Sequence, residues 1–122
     1  MSQNSVVAVI DIGKTNAKLA LVDLDSLIEI AVVTRPNTVR AGPPWPHFDT
    51  EGHWTFLLNG LGEFHLKHRV DAISITTHGA SVALLEENGQ APEIVLYLET
   101  PPDKDTLESI LTKLAISPRQ LL

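Results

Sequence analysis

VVAVIDIGKTNAKLALVD, residues 6–23, sets two apolar runs on either side of the short polar turn Gly13-Lys14-Thr15-Asn16. The first run, 6–12, is almost continuous valine and isoleucine, the pattern of a strand buried on both faces. The second, 17–23, is apolar apart from Lys18 and Asp23 and reads as the returning strand of a hairpin. Gly13-Lys14-Thr15 also matches the end of the P-loop signature, but the rest of that signature is missing. Position 8, where the first glycine should open the loop, is an alanine inside the apolar strand. A P-loop also runs into a helix, and only six residues separate Asn16 from the turn-forming Asp23, too few for a stable one. Local chemistry leaves two readings of the turn. It is either a plain hairpin tip with a solvated Lys14, or a concave nest of backbone N–H groups suited to phosphate oxygens. In the second reading Lys14 or Lys18 supplies the cation, and Asp11 stands where a carboxylate holds Mg²⁺ through its waters.

Working outward, "DLDS" at 23–26 is turn-like and 27–35 (LIEIAVVTR) gives a third strand, completing an antiparallel meander. Residues 36–53 hold four prolines and two glycines and read as a long irregular loop. Trp54, Leu57, Leu58, Leu61 and Phe64 recur at helical spacing, so 54–68 reads as an amphipathic helix with Trp54 in the core. Gly60 and Gly62 weaken that helix unless close packing against a sheet compensates. Two segments, 70–79 and 81–90, read as strands, the latter running into an Asn88-Gly89 turn, and 93–99 reads as another. Leu107, Ile110, Leu111 and Leu114 mark a last helix, stopped by Pro118. The order β-β-β-α-β-β-β-α describes an α/β domain with a mixed sheet and a helix crossover.

The 122 residues are 43% hydrophobic, enough for one small domain or a piece of a larger one. A net charge of −6 disfavours a nucleic-acid partner. With no cysteine, disulfide and zinc-thiolate chemistry are excluded. The N-terminus has no basic segment and its apolar run is too short for a signal or a membrane span, so a cytoplasmic protein is expected. His65 and His68 form an H-x-x-H, but no third ligand accompanies them, and they read as histidines favoured by a helix C-terminus. Trp45 and Phe48 could offer a sugar a stacking face or anchor the loop, and the sequence assigns Trp45 to neither.

AVIDIGKTNAKLALVD resembles the first phosphate motif of the FGGY carbohydrate kinases, and DAISITTHGASVALLEENGQ (71–90) resembles the strand–turn–strand after that family's first crossover helix. The form TTHGASVALL is similar to the rhamnulokinase and fuculokinase branch. The resemblance runs over about residues 6–97. It implies an RNase H-like fold of the actin/hexokinase/Hsp70 superfamily, with ATP-dependent phosphorylation of a sugar hydroxyl, and ATP and Mg²⁺ as cofactors. By position, Asp11 matches the magnesium-associated aspartate. Gly13, Lys14, Thr15 and Asn16 match the turn around the ATP phosphates, and Lys18 the basic residue facing them. His78 and Gly79 match the turn that contacts the sugar. Lys14 departs from the small residue that many members carry, so either lysine could be the functional cation.

In that family the catalytic base is an aspartate further downstream and the adenosine pocket belongs to a second domain, and nothing after residue 97 resembles either. Asp103 and Asp105 read as helix-start residues. The expected organisation is a partial kinase domain over 1–99 and an atypical helical tail over 100–122. Two functional expectations follow, a segment supplying one wall of a kinase cleft and a truncated, non-catalytic relic or interaction module. Either leaves an incomplete sheet, whose exposed edges favour self-association.

Overall fold

The computed structural model describes residues 4–41, 46–79, 81–83, 95–97 and 105. Their elements are β1 (Val6–Ile12), β2 (Asn16–Asp23), β3 (Glu29–Pro36), β4 (Val39–Arg40), β5 (His47–Phe48), α1 (Thr50–His68), β6 (Ala72–Thr77), β7 (Ser81–Ala83) and β8 (Val95–Tyr97). The chain divides into two units, one of residues 1–39 and 48–79, the other of 40–47 and 80–122.

The first unit holds a four-stranded mixed sheet of order β3-β2-β1-β6. β1 and β2 pair antiparallel from Val6↔Asp23 to Ile12↔Ala17, and β2 pairs antiparallel with β3. The chain then crosses over through α1 and returns as β6, parallel to β1 from Val7↔Ala72 to Ile12↔Thr77. The meander and crossover expected from the sequence are both present. The segment after the Gly13–Asn16 turn is a strand, which removes the helix a P-loop requires.

α1 lies against β1 and β2, and the core forms between them. Val6, Ala8, Ile10, Leu19, Leu21 and Phe64 are buried, with Phe56, Leu57 and Leu61 packed beside them. β1 is buried on this face alone, since Val7 and Val9 on the other face are half-buried, contrary to the two-sided burial its apolar run suggested. Two further expectations are corrected. Residues 36–53 are not one irregular loop: β4 and β5 lie within it, and α1 begins at Thr50. Asp49 caps that helix, its carboxylate accepting from Gly52 N at 3.1 Å, so the helix gains a turn that hydrophobic spacing alone did not reveal. The inward stripe is also rotated from the one expected. His53, Gly60 and Phe64 are buried, whereas Trp54 is 62% exposed and Leu58 50% exposed. Positions 53, 56, 57, 60, 61 and 64 make the continuous 3.6-residue face, and a buried histidine and glycine interrupt its apolar character.

Gly60 sits where the helix approaches the sheet most closely. A Cβ there would lie 2.7 Å from Leu19 Cδ2, whereas at Gly62 nothing stands within 4 Å. The compensation expected for two helical glycines therefore applies to Gly60 alone. The β2–β3 turn is tied by Asp23, whose Oδ1 accepts from Asp25 N (2.9 Å) and Ser26 N (3.0 Å) and whose Oδ2 accepts from Asn4 Nδ2 (3.0 Å). These donors, Ser26 N first among them, hold its carboxyl below the usual aspartate value.

The second sheet has the order β4-β5-β8-β7, with β8 antiparallel to both neighbours. β7 and β8 fall within the strands expected at 81–90 and 93–99. The Asn88-Gly89 turn, the helix over 107–114, Trp45 and Asp103 lie outside the described residues. Among those described, no helix is long and apolar enough to cross a membrane.

Candidate functional site

β1 and β6 are parallel neighbours, so the segments that follow them leave the sheet at the same end. The Gly13–Asn16 turn follows β1 and His78–Gly79 follow β6. His78 N donates to Ile12 O at 2.9 Å, which fastens the second segment beside the first. The two motifs that stand apart in sequence, at 11–18 and 78–79, are thereby brought to the carboxyl ends of adjacent parallel strands. In open α/β sheets this is where ligands gather.

The turn is built with its carbonyls tied into the chain. Gly13 N donates to Asn16 O at 2.8 Å, Asn37 N to Thr15 O at 2.9 Å, and Asn37 Nδ2 to Gly13 O at 2.8 Å. Three acceptor oxygens that would repel an anion are therefore occupied internally, while Lys14, Thr15 and Asn16 are exposed. At Gly13 a Cβ would stand 3.1 Å from Asn16 O, so a side chain would have to pry the turn open. The Gly13 N–H is itself engaged by Asn16 O and so is not among the amides open to an anion.

Asp11 is exposed and directly opposite Lys18 in the β1–β2 register, on the sheet face away from α1. The Lys18 ammonium, however, pairs with Glu29 at 3.0 Å. Glu29 stands opposite Val22, so this contact draws the ammonium along the sheet away from the turn. Both partners are about two-fifths exposed, and such a pair is weak enough to be exchanged for a stronger anion. His78 is half-buried, its Nδ1 donating to Gly79 O at 2.7 Å and its ring meeting Phe48 edge-on at 5.4 Å between centroids. Phe48 is thus an anchor of this segment. Gly79 is exposed with open space around it.

Two residues that the sequence did not single out for this site complete it, Asn37 and His53, 7% and 8% exposed. The side chain of Asn37 bridges Gly13 O to His53 Nε2, the latter at 2.7 Å. His53 Nδ1 faces Arg35 Nη1 at 3.4 Å, and Arg35 Nη2 bonds Asp49 Oδ2 at 2.9 Å. Burial and then the Arg35 charge hold His53 below the usual imidazole value, against a smaller opposite effect of Asp49. The available signal was the position of His53 in the inward helical stripe, where a polar residue must find a partner. His65 and His68 lie in the last turn of α1, with His65 Nδ1 accepting from Val70 N at 3.0 Å. Among the described residues no cluster of three metal-ligating side chains occurs.

Comparison with solved structures defines the class of fold. A carbohydrate kinase from Novosphingobium aromaticivorans superposes with a TM-score of 0.72 and 26% identity, over 93% of this chain and 23% of that one. Xylulose kinase from Lactobacillus acidophilus gives 0.64 at 13% identity, over 89% of this chain and 22% of the other. Plasmodium falciparum glycerol kinase, solved with ADP, gives 0.60 at 18% identity over 91% and 23%. The described mixed sheet and helix thus have the fold of a segment of sugar kinases, and the chain spans less than a quarter of those kinases' length.

Sequence comparison points to different names over a shorter stretch. An arsenate reductase of Neisseria meningitidis is 50% identical over 38 residues, 31% of this chain and 32% of the relative. The uncharacterized protein YfgD of Escherichia coli is 55% identical over 40 residues, 32% of this chain and 34% of its own. The chain spans about a third of the length of these curated relatives. No protein-family model matches it.

Proposed function

We propose that this chain is a segment of an ATP-dependent carbohydrate kinase of the FGGY type, with an RNase H-like fold, and that it contributes the first phosphate turn and part of the sugar site. The observation that carries the reading is the placement of the Gly13–Asn16 turn and His78–Gly79 at one end of the sheet, fastened by the His78 N to Ile12 O bond. The 26% identity to a carbohydrate kinase across 93% of the chain supports it. In this reading residues 1–99 form the kinase-type part and 100–122 a separate tail.

Nucleotide and metal fit the residues present. With the carbonyls of Gly13, Thr15 and Asn16 occupied, the exposed tip of the turn beyond the Gly13 amide would donate to phosphate oxygens, and Asp11, exposed at the end of β1, would hold Mg²⁺ through its waters. Bound there, Mg²⁺ neutralises phosphate charge. Lys18 brings a second positive charge once it leaves Glu29, and His78 with the Gly79 backbone orients the sugar. No catalytic base is assigned among the described residues. The rhamnulokinase and fuculokinase branch, with a deoxyhexose or related sugar as substrate, rests on the TTHGASVALL likeness alone.

Calorimetric titration with Mg·ATP tests the reading. Binding that Asp11→Asn and Lys18→Ala both weaken is the expected result. A folded chain that releases no heat with Mg·ATP would overturn it and favour a non-catalytic relic or interaction module. The arsenate-reductase likeness covers 38 residues, 31% of this chain and 32% of that relative, against 93% of the chain for the kinase likeness.

A further inference from the structure

We propose that Asn37, oriented by His53, is the positioning residue of the phosphate turn. The role rests on the kinase reading for its purpose but on hydrogen bonds within the chain for its existence. Asn37 follows the end of β3 and grips the turn twice, through its backbone N–H on Thr15 O and its side-chain amide on Gly13 O. These bonds occupy two carbonyls of the turn that would otherwise be free to repel an anion.

The orientation of the Asn37 amide is set from the other side. A guanidinium only donates, so His53 Nδ1, facing Arg35, is the acceptor of that pair. The ring proton therefore sits on Nε2 and is donated to Asn37 Oδ1. With Oδ1 committed to His53, Nδ2 must face Gly13 O. Arg35 is fixed in turn by Asp49, which also caps α1. At Gly52 a Cβ would run into both the Asp49 carboxylate and the Arg35 guanidinium, so the glycine keeps this junction open. Arg35 on β3, Asp49 ahead of α1 and His53 in its first turns thus connect the start of the crossover helix to the turn. Each member is buried or half-buried, where a misdirected donor or acceptor is left without water to replace its partner.

Three variants separate this role from mere packing. Asn37→Asp keeps the shape but cannot donate to Gly13 O. His53→Leu removes the donor to Asn37, and His53→Gln restores a neutral one. Amide hydrogen exchange at Gly13 and Asn37 is expected to quicken roughly tenfold relative to the β1–β2 interior in Asn37→Asp and His53→Leu, the scale of one lost hydrogen bond. His53→Gln is expected to stay close to the parent chain. Mg·ATP affinity should fall in the same order. Unchanged turn exchange in Asn37→Asp would overturn the proposal. If a variant does not fold, ¹⁵N shifts of the parent imidazole decide, because an Nδ1–H tautomer of His53 is incompatible with it. If the parent chain binds no Mg·ATP while the exchange pattern holds, the kinase reading fails and the positioning role stands.

Discussion

His53 makes stability depend on pH in a direction set by its surroundings. Burial and the Arg35 guanidinium favour its neutral form, with Asp49 opposing them less. Its folded-state value lies below the unfolded value of about 6.5. Above that pH both states are neutral and the group contributes no slope. As pH falls below it, the unfolded chain takes up the proton first, so stability declines until the folded value is passed. Urea midpoints should therefore drop between neutral and mildly acidic pH, and His53→Gln should flatten that drop. An equal drop in the variant would show that another group is responsible. Lys18 supports a second expectation at the same scale. Its half-exposed pair with Glu29 competes with any phosphate at the turn, and is worth under about 1 kcal/mol. Glu29→Gln should tighten Mg·ATP binding by a few-fold at low salt and change thermal stability little. Weaker binding in that variant would mean that Glu29 helps to place the lysine.

At the scale of the element, the two glycines of α1 should respond oppositely to alanine. Gly62 is exposed with nothing near it, so Gly62→Ala should stabilise by about 0.8 kcal/mol through helix propensity alone. At Gly60 the new methyl meets Leu19, a fully buried side chain in the centre of the sheet. Overpacking of about 1–3 kcal/mol there exceeds the propensity gain, and Gly60→Ala should destabilise. Denaturant unfolding of the two variants checks both signs, and stabilisation by both would mean that α1 is free to move off the sheet. This contrast also marks what could be read in the sequence. The valine- and isoleucine-rich run of β1 and the alanine- and leucine-rich run of β2, parted by a short polar turn, made the meander legible, because period and turn chemistry agree there. The helix was legible only in part. Its cap is an aspartate within a proline-rich segment, and its inward face is breached by His53 and Gly60, so counting apolar residues rotated the stripe onto Trp54 and Leu58. The Gly13–Asn16 turn was legible as a turn, whereas its phosphate role and that of His78–Gly79 came from the family resemblance. Asn37 was not legible, because a buried asparagine is recognised by the carbonyl it meets, and that carbonyl lies 24 positions away.

At the scale of the whole molecule, the sheet is covered unevenly. Ile73 and Ile75 on β6 pair with Ala8 and Ile10 of β1 and so belong to the face that α1 packs against. They are nevertheless 53% and 67% exposed, and among the described elements α1 packs chiefly on β1 and β2. A groove of about 420 Å³ opens there, lined by Leu61, His65, Val70, Asp71, Ala72 and Ile73. Among the described strands β6 is also at the edge of its sheet, so backbone pairing groups and apolar side chains are presented together there. Such edges associate unless charge or a covering element prevents it, and β6 carries no charged residue. The chain is therefore expected to self-associate in a concentration-dependent way in sedimentation velocity. Ile75→Lys should shift the distribution towards monomer at little cost in folding stability, since the substituted side chain is already mostly in solvent. A single species of monomer mass at every concentration would refute the expectation. It would place the cover of β6 within the chain itself. Self-association unchanged by Ile75→Lys would instead move the contact to the other sheet face, where Ile30 and Val32 are 38% and 44% exposed.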